Sequence, residues 1–105
     1  MSQTIRVLVA DHNLEFAGRL SDFLNRQAGI CVAAVARDGH GVLHQCRETL
    51  PDVAVIDLHL PVLGLDSIKT IKAVVLQNQN IRVLAISRQA ADRYAIEAVK
   101  AGATG

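Results

Sequence analysis

The sequence predicts an α/β fold in which a parallel sheet is wound on both faces by helices, and three observations carry that reading. Four near-continuous apolar runs have the length and composition of strands buried on both faces. Four further segments space their apolar residues three or four apart, the period of a helix with one buried stripe. The two kinds of segment alternate along 105 residues with short connections, which calls for right-handed crossovers between parallel strands.

The first strand is expected over Ile5 to Ala10, ending at Asp11, and the first helix carries the stripe Phe16, Leu20, Phe23, Leu24 and Gln27. Asn13 can accept a backbone N–H as its cap, and Gly29 suits a left-handed exit. The second strand, Cys31 to Ala36, leads through a capping Asp38 to the stripe Val42, Leu43, Cys46 and Leu50. The third strand, Val53 to Ile56, closes on Asp57 and is followed at once by Leu-His-Leu-Pro. Leu65, Ile68, Ile71 and Val75 mark the third helix. The fourth strand, Val83 to Ile86, ends at Ser87, and Ala91, Ala95, Ala98 and Val99 mark the fourth helix before Gly102.

A chain of this length makes one domain, residues 1–105, and folding hides roughly 65% of the unfolded surface. Half of the residues are apolar but only 3% are aromatic, so the core must be aliphatic. The formal net charge is +1, and the Lys and Arg residues are scattered, which gives no field to gather nucleic acid or a membrane surface. Cys31 and Cys46 lack metal-ligand spacing and read as buried free thiols in a reducing compartment. Arg6 and Asp11 bracket the first apolar run, so neither a signal peptide nor a membrane span is expected, and the protein is expected in the cytoplasm.

Open parallel sheets bind ligands outside the C-terminal ends of their strands. Asp11, Asp57 and Ser87 are the polar groups that close three of the four runs, so they are expected to share one crevice.

With the strand ends laid out in this way, the chain resembles the receiver domain of bacterial two-component response regulators. The resemblance spans Ile-Arg-Val-Leu-Val-Ala-Asp at 5–11, Pro-Asp-Val-Ala-Val-Ile-Asp at 51–57, Leu-Pro at 60–61, Arg-Val-Leu-Ala-Ile-Ser at 82–87 and Ala-Gly-Ala-Thr-Gly at 101–105. It implies a flavodoxin-like doubly wound sheet of strand order 2-1-3-4-5. Asp57 would take a phosphoryl group from the phosphohistidine of a sensor histidine kinase or phosphotransfer protein, and Ser87 would bind the new phosphate. A divalent cation, Mg2+ in this family, shields the incoming charge, and Asp11, Asp57 and the backbone carbonyl of His59 would be its oxygen ligands. The likeness is closest to receivers that carry a LuxR-type helix-turn-helix output domain, which implies transcription control in a longer protein and a signalling module here rather than an enzyme.

Three departures from the family pattern bear on function. The usual pair of acids after the first strand is Asp11-His12 here, and a neutral imidazole substitutes poorly for oxygen around magnesium, so Mg2+ is expected to bind weakly or not at all. Protonated, His12 near 4 Å from Asp57 would attract it by about 4 kcal/mol before desolvation. The segment Pro-Val-Leu-Gly at 61–64 is one residue shorter than the family's, and Arg88 puts a large cation after Ser87, either to hold phosphate or to block access. The chain ends at Gly105, where the family's fifth strand begins, so that strand, its lysine and the fifth helix are not in this sequence. The fourth strand is then expected to be a bare apolar edge that promotes self-association, with Tyr94 on the partner face.

Other readings compete. A pseudo-receiver would act by protein contact without phosphorylation. Asp57-Leu-His59 resembles the Asp-x-His of cobalamin-binding domains, although Val62 stands where that motif needs Gly. A transition-metal site of His12, Asp57 and His59 is conceivable. Flavin binding lacks its phosphate loop, since Asp-His-Asn-Leu-Glu at 11–15 offers acids, and no hydrolase motif appears. His40 and His44, four apart, and Asp66, Lys69 and Lys72 read as solvated helix faces.

Overall fold

A computed structural model describes residues 3–61, 65–89 and 92–105. The element order is β1 (Ile5–Ala10), α1 (Leu14–Asn25), β2 (Ile30–Ala36), α2 (Gly39–Thr49), β3 (Val53–Asp57), α3 (Ser67–Gln77), β4 (Arg82–Ile86) and α4 (Ala95–Ala101). All strand pairs are parallel, in the order β2-β1-β3-β4. Both the strand runs and the expected order 2-1-3-4 are therefore present.

Period-two alternation along β1 divides the core. Leu8 and Ala10 join Ala54 and Ile56 of β3 on the face covered by α2, α3 and α4, through Val42, Cys46, Ile71, Val74 and Ala98. Val7, Val9 and Val55 face the other way, toward α1 with Ala17, Leu20 and Leu24. Three helices thus cover one face and a single helix the other.

The stripe expected on α1 is shifted. Ala17 and Ser21 are its buried residues, whereas Phe23 is 58% exposed, Phe16 lies at the rim, and Gln27 falls beyond the helix end. The face that meets a flat sheet is narrow, and on this single covering helix the aromatic positions one step around fall outside it. Leu50 corrects the α2 stripe. It is left-handed (φ 46) and exposed, stopping the helix just before Pro51, while the Arg6 guanidinium donates to the terminal carbonyls of Thr49 and Leu50.

The expected caps are present. Asn13 accepts from Phe16 N–H at 3.0 Å and Asp38 from Gly41 N–H at 2.7 Å. Asp66 is a third cap rather than a solvated face residue, accepting from Lys69 N–H at 2.8 Å. Gly29 and Gly102 both have positive φ. On α4, Ala98 is buried, but Val99 is exposed; Ala91 lies outside the described residues.

The edge at β4 is less bare than expected. Thr104 N–H donates to Val83 O and Ala85 N–H to Gly105 O, both at 2.8 Å, so the last residues run alongside β4 in its own direction. Backbone groups of an edge strand take whatever partner lies within reach.

Candidate functional site

Parallel strands all deliver their C-terminal ends to one rim of the sheet, so Asp11 after β1 and Asp57 at the end of β3 arrive side by side. Both are buried, at 1% and 7% exposure. Buried carboxylates need donors. Asp11 Oδ1 accepts from Asn13 N–H at 2.8 Å, and Asp57 Oδ1 accepts from His59 N–H at 3.0 Å. Each acid therefore fixes the loop that leaves its own strand.

His12 completes the cluster. Its Nδ1 lies 3.4 Å from Asp57 Oδ2 and 3.8 Å from Asp11 Oδ1, and ligand atoms of the three residues all lie within 4.8 Å of one another. Arg88 approaches from the end of β4, with Nη2 at 3.5 Å from Asp11 Oδ1 and its guanidinium 5.1 Å from the Phe16 ring centroid. The exposed position of Phe16 gives that guanidinium its platform.

Ser87 sits at the same rim, one residue beyond Ile86, which is paired with Asp57. Its hydroxyl turns to Asp92, donating to Oδ2 at 2.6 Å, and accepts from Gln89 N–H at 3.0 Å. His59 Nε2 meets the same Asp92 oxygen at 2.6 Å. The transition-metal set of His12, Asp57 and His59 therefore does not assemble: the His59 ring is committed to Asp92, and only its backbone N–H reaches Asp57. A hydrolase relay is also not formed, because the carboxylate, rather than the imidazole, lies between its two partners.

Asp92 is a residue that the sequence reading does not single out. Its side chain is only 4% exposed. The Ser87 hydroxyl, then the Tyr94 N–H and then His59 hold its carboxyl down at about 2. The one sequence signal is local: an Asp two residues before the Tyr94 N–H that it accepts, a turn motif ahead of a helix.

Ser67 is a second addition. It is buried at the start of α3, donates to Asp57 O at 2.7 Å and accepts from Leu60 N–H at 3.0 Å, tying the segment after Asp57 to the helix that follows. Tyr94 stands half open beside this region, edge-on to the His59 ring at 5.6 Å and beneath Arg93 at 5.2 Å. The shortened segment at 61–64 falls mostly on residues 62–64, outside the described residues. No helix among the described residues is long and apolar enough to cross a membrane.

Comparison with known proteins follows the same lines. The response regulator receiver domain family matches residues 7–105. The chemotaxis protein CheY of Thermotoga maritima is 31% identical over 99 residues, covering 93% of this chain and 79% of that protein. The signal receiver domain of the response regulator NarL from Mycobacterium tuberculosis superposes with a TM-score of 0.86 at 30% identity, covering 96% of this chain and 80% of that one. A two-component response regulator of the LuxR family from an Aurantimonas species superposes with a TM-score of 0.88 at 28% identity, covering 98% and 72%.

The chain spans 20% and 18% of the length of two protein-glutamate methylesterases that it matches, and 45% of a transcriptional regulatory protein of Bacillus subtilis. Four parallel strands in the order β2-β1-β3-β4, an acid closing β3 and a match from residue 7 to residue 105 identify the chain as a member of the response regulator receiver domain family.

Proposed function

We propose that residues 1–105 form one receiver module of a two-component phosphorelay, with Asp57 as the carboxylate that takes the phosphoryl group. The observation that supports this reading is the seat of Asp57: it is fixed through Oδ1 by the His59 N–H, while Oδ2 faces the His12 imidazole at 3.4 Å. In the transfer, Asp57 attacks phosphorus and an O–P bond forms as the donor's P–N bond breaks. The departing imidazole nitrogen keeps that electron pair and takes a proton from solvent. The donor is the phosphohistidine of a sensor histidine kinase or phosphotransfer protein.

Receiver domains generally place Mg2+ at an acidic pocket, where it neutralises the incoming charge. The residues here do not fit that ion well. An octahedral oxygen shell would have to accommodate the His12 nitrogen beside Asp57 and the Arg88 guanidinium beside Asp11. His12, when protonated, and Arg88 supply positive charge in its place. They neutralise charge without imposing a metal's geometry, so transfer is slower than at a two-acid site.

The test is incubation with acetyl phosphate followed by intact mass. One phosphoryl group on the wild type and none on Asp57→Asn is the expected result; uptake that survives Asp57→Asn overturns the assignment. A second reading, a pseudo-receiver acting by contact alone, draws support from the capture of the Ser87 hydroxyl by Asp92 and from Arg88 reaching across Asp11. A folded wild type that takes up no phosphoryl group would favour it.

In a longer protein the module regulates a linked output domain or a partner, with transcription control as the output suggested by the LuxR-family likeness. Its balanced charge gives no direct nucleic-acid surface. Contacts run through the α4 region around Tyr94 and through the edge of β4, where a second copy can dock.

A further inference from the structure

We propose that Asp92 is a positioning residue that holds the Ser87 hydroxyl out of the acceptor pocket and links the segment after β3 to the segment after β4 as one latch. This inference rests on the reading of Asp57 as the phosphoacceptor and goes beyond it, because neither Asp92 nor the side chain of His59 has a part in that reading.

Serine has one proton to donate, and here that proton goes to Asp92 Oδ2 at 2.6 Å while a lone pair takes the Gln89 N–H at 3.0 Å. A phosphoryl group on Asp57 can receive that proton only after the bond to Asp92 breaks. The competitor is a strong one, since hydrogen bonds to a carboxylate are among the shorter and stronger kinds. Asp92 stays charged at any physiological pH, its carboxyl held at about 2 chiefly by this same hydroxyl.

The latch also reaches across the fold. His59, 33 residues earlier in the chain and two beyond Asp57, binds the same carboxylate oxygen at 2.6 Å. Asp92 Oδ1 accepts from the Tyr94 N–H at 2.8 Å, and the Tyr94 ring packs edge-on against His59. The state of the hydroxyl is therefore coupled to the start of α4. Release of Ser87 toward a phosphoryl group takes from Asp92 the partner that most stabilises its charge, and the contacts at Tyr94 must then readjust. The latch favours the unphosphorylated arrangement, and its strength sets how much of the transfer energy is spent in opening it.

The test compares wild type, Asp92→Ala, Ser87→Ala and the double variant by the rate of phosphoryl uptake from acetyl phosphate, read by intact mass. Asp92→Asn serves as a second variant that keeps the side-chain size, and thermal melting checks that each variant folds. The expected result is that Asp92→Ala takes up phosphoryl groups about tenfold faster, as loss of one charge-assisted competitor would allow, and that the gain disappears when Ser87 is also Ala. Asp92→Asn should move in the same direction by less.

A purely structural role for Asp92 would lower the melting temperature without a gain that depends on Ser87. Uptake by wild type with no acceleration in Asp92→Ala, or an acceleration that persists without Ser87, overturns the latch and leaves Asp57 as acceptor. Absence of uptake in wild type and in both Asp92 variants overturns the acceptor reading and the latch with it.

Discussion

His12 Nδ1 stands 3.4 Å from Asp57 Oδ2, joining the loop after β1 to the last residue of β3. An imidazole in that place contributes nitrogen or, when protonated, a positive charge, and neither completes an oxygen shell for magnesium. Replacing it with an acid places two carboxylates beside Asp57. His12→Asp is expected to tighten magnesium binding about tenfold or more, measured by calorimetric titration. Equal affinity in wild type and variant would show that His12 does not set the metal preference.

Ser67 ties the site to α3. Its hydroxyl is buried between Asp57 O and Leu60 N–H, so Ser67→Ala leaves a buried acceptor and a buried donor without their partner. Unfolding in urea should show a loss of about 1–3 kcal/mol, the cost of unsatisfied buried groups. An unchanged midpoint would place those bonds outside the stability of the fold.

The pH dependence follows from two shifted groups of opposite kind. Asp92 is held at about 2, below the ordinary aspartate value of 3.8, so the native state keeps it charged where the unfolded chain protonates it. Its contribution to stability is complete above about pH 4 and is lost as pH falls toward 2. Burial pushes the Cys46 thiol up to about 11, so between pH 9 and 11 the unfolded chain loses a proton that the native state retains, and stability falls as pH rises. Asp92→Ala should flatten the acid limb and Cys46→Ala the alkaline limb of a melting curve taken against pH.

Leu84 lies on the outer strand β4 at 42% exposure, and Ile96 and Val99 of α4 are exposed at 67% and 61%. Thr104 and Gly105 occupy two backbone groups of that edge, and β4 is the terminal strand among the described residues. An edge of this composition pairs readily with another copy. Sedimentation should show association that grows with concentration and that is weakened several-fold by Leu84→Lys. A monomer at every concentration would contradict it.

The strands are legible in the sequence because apolar runs of four to six residues are separated by capped helices, while their order is what the resemblance to receiver domains implies. β2 and β4 each begin one residue earlier than the runs suggest, at Ile30 and Arg82. The meeting of Asp11, His12 and Asp57 is legible for the same reason, since parallel strands bring their ends to one rim. The exposure of Phe16 and Phe23 is not, because periodicity fixes the spacing of a stripe but not which edge of it overhangs the sheet. Asp92 is not legible either. Its partnership with Ser87 and His59 depends on where a loop lands in space, and neither spacing nor composition encodes that.

Whether Asp57 accepts a phosphoryl group is read from the site of label after reaction with a phosphodonor, by peptide mass spectrometry. A single phosphoryl group is expected on the peptide that contains Asp57, lost in Asp57→Asn. Label elsewhere in the chain, or a folded wild type that takes up none, would contradict it.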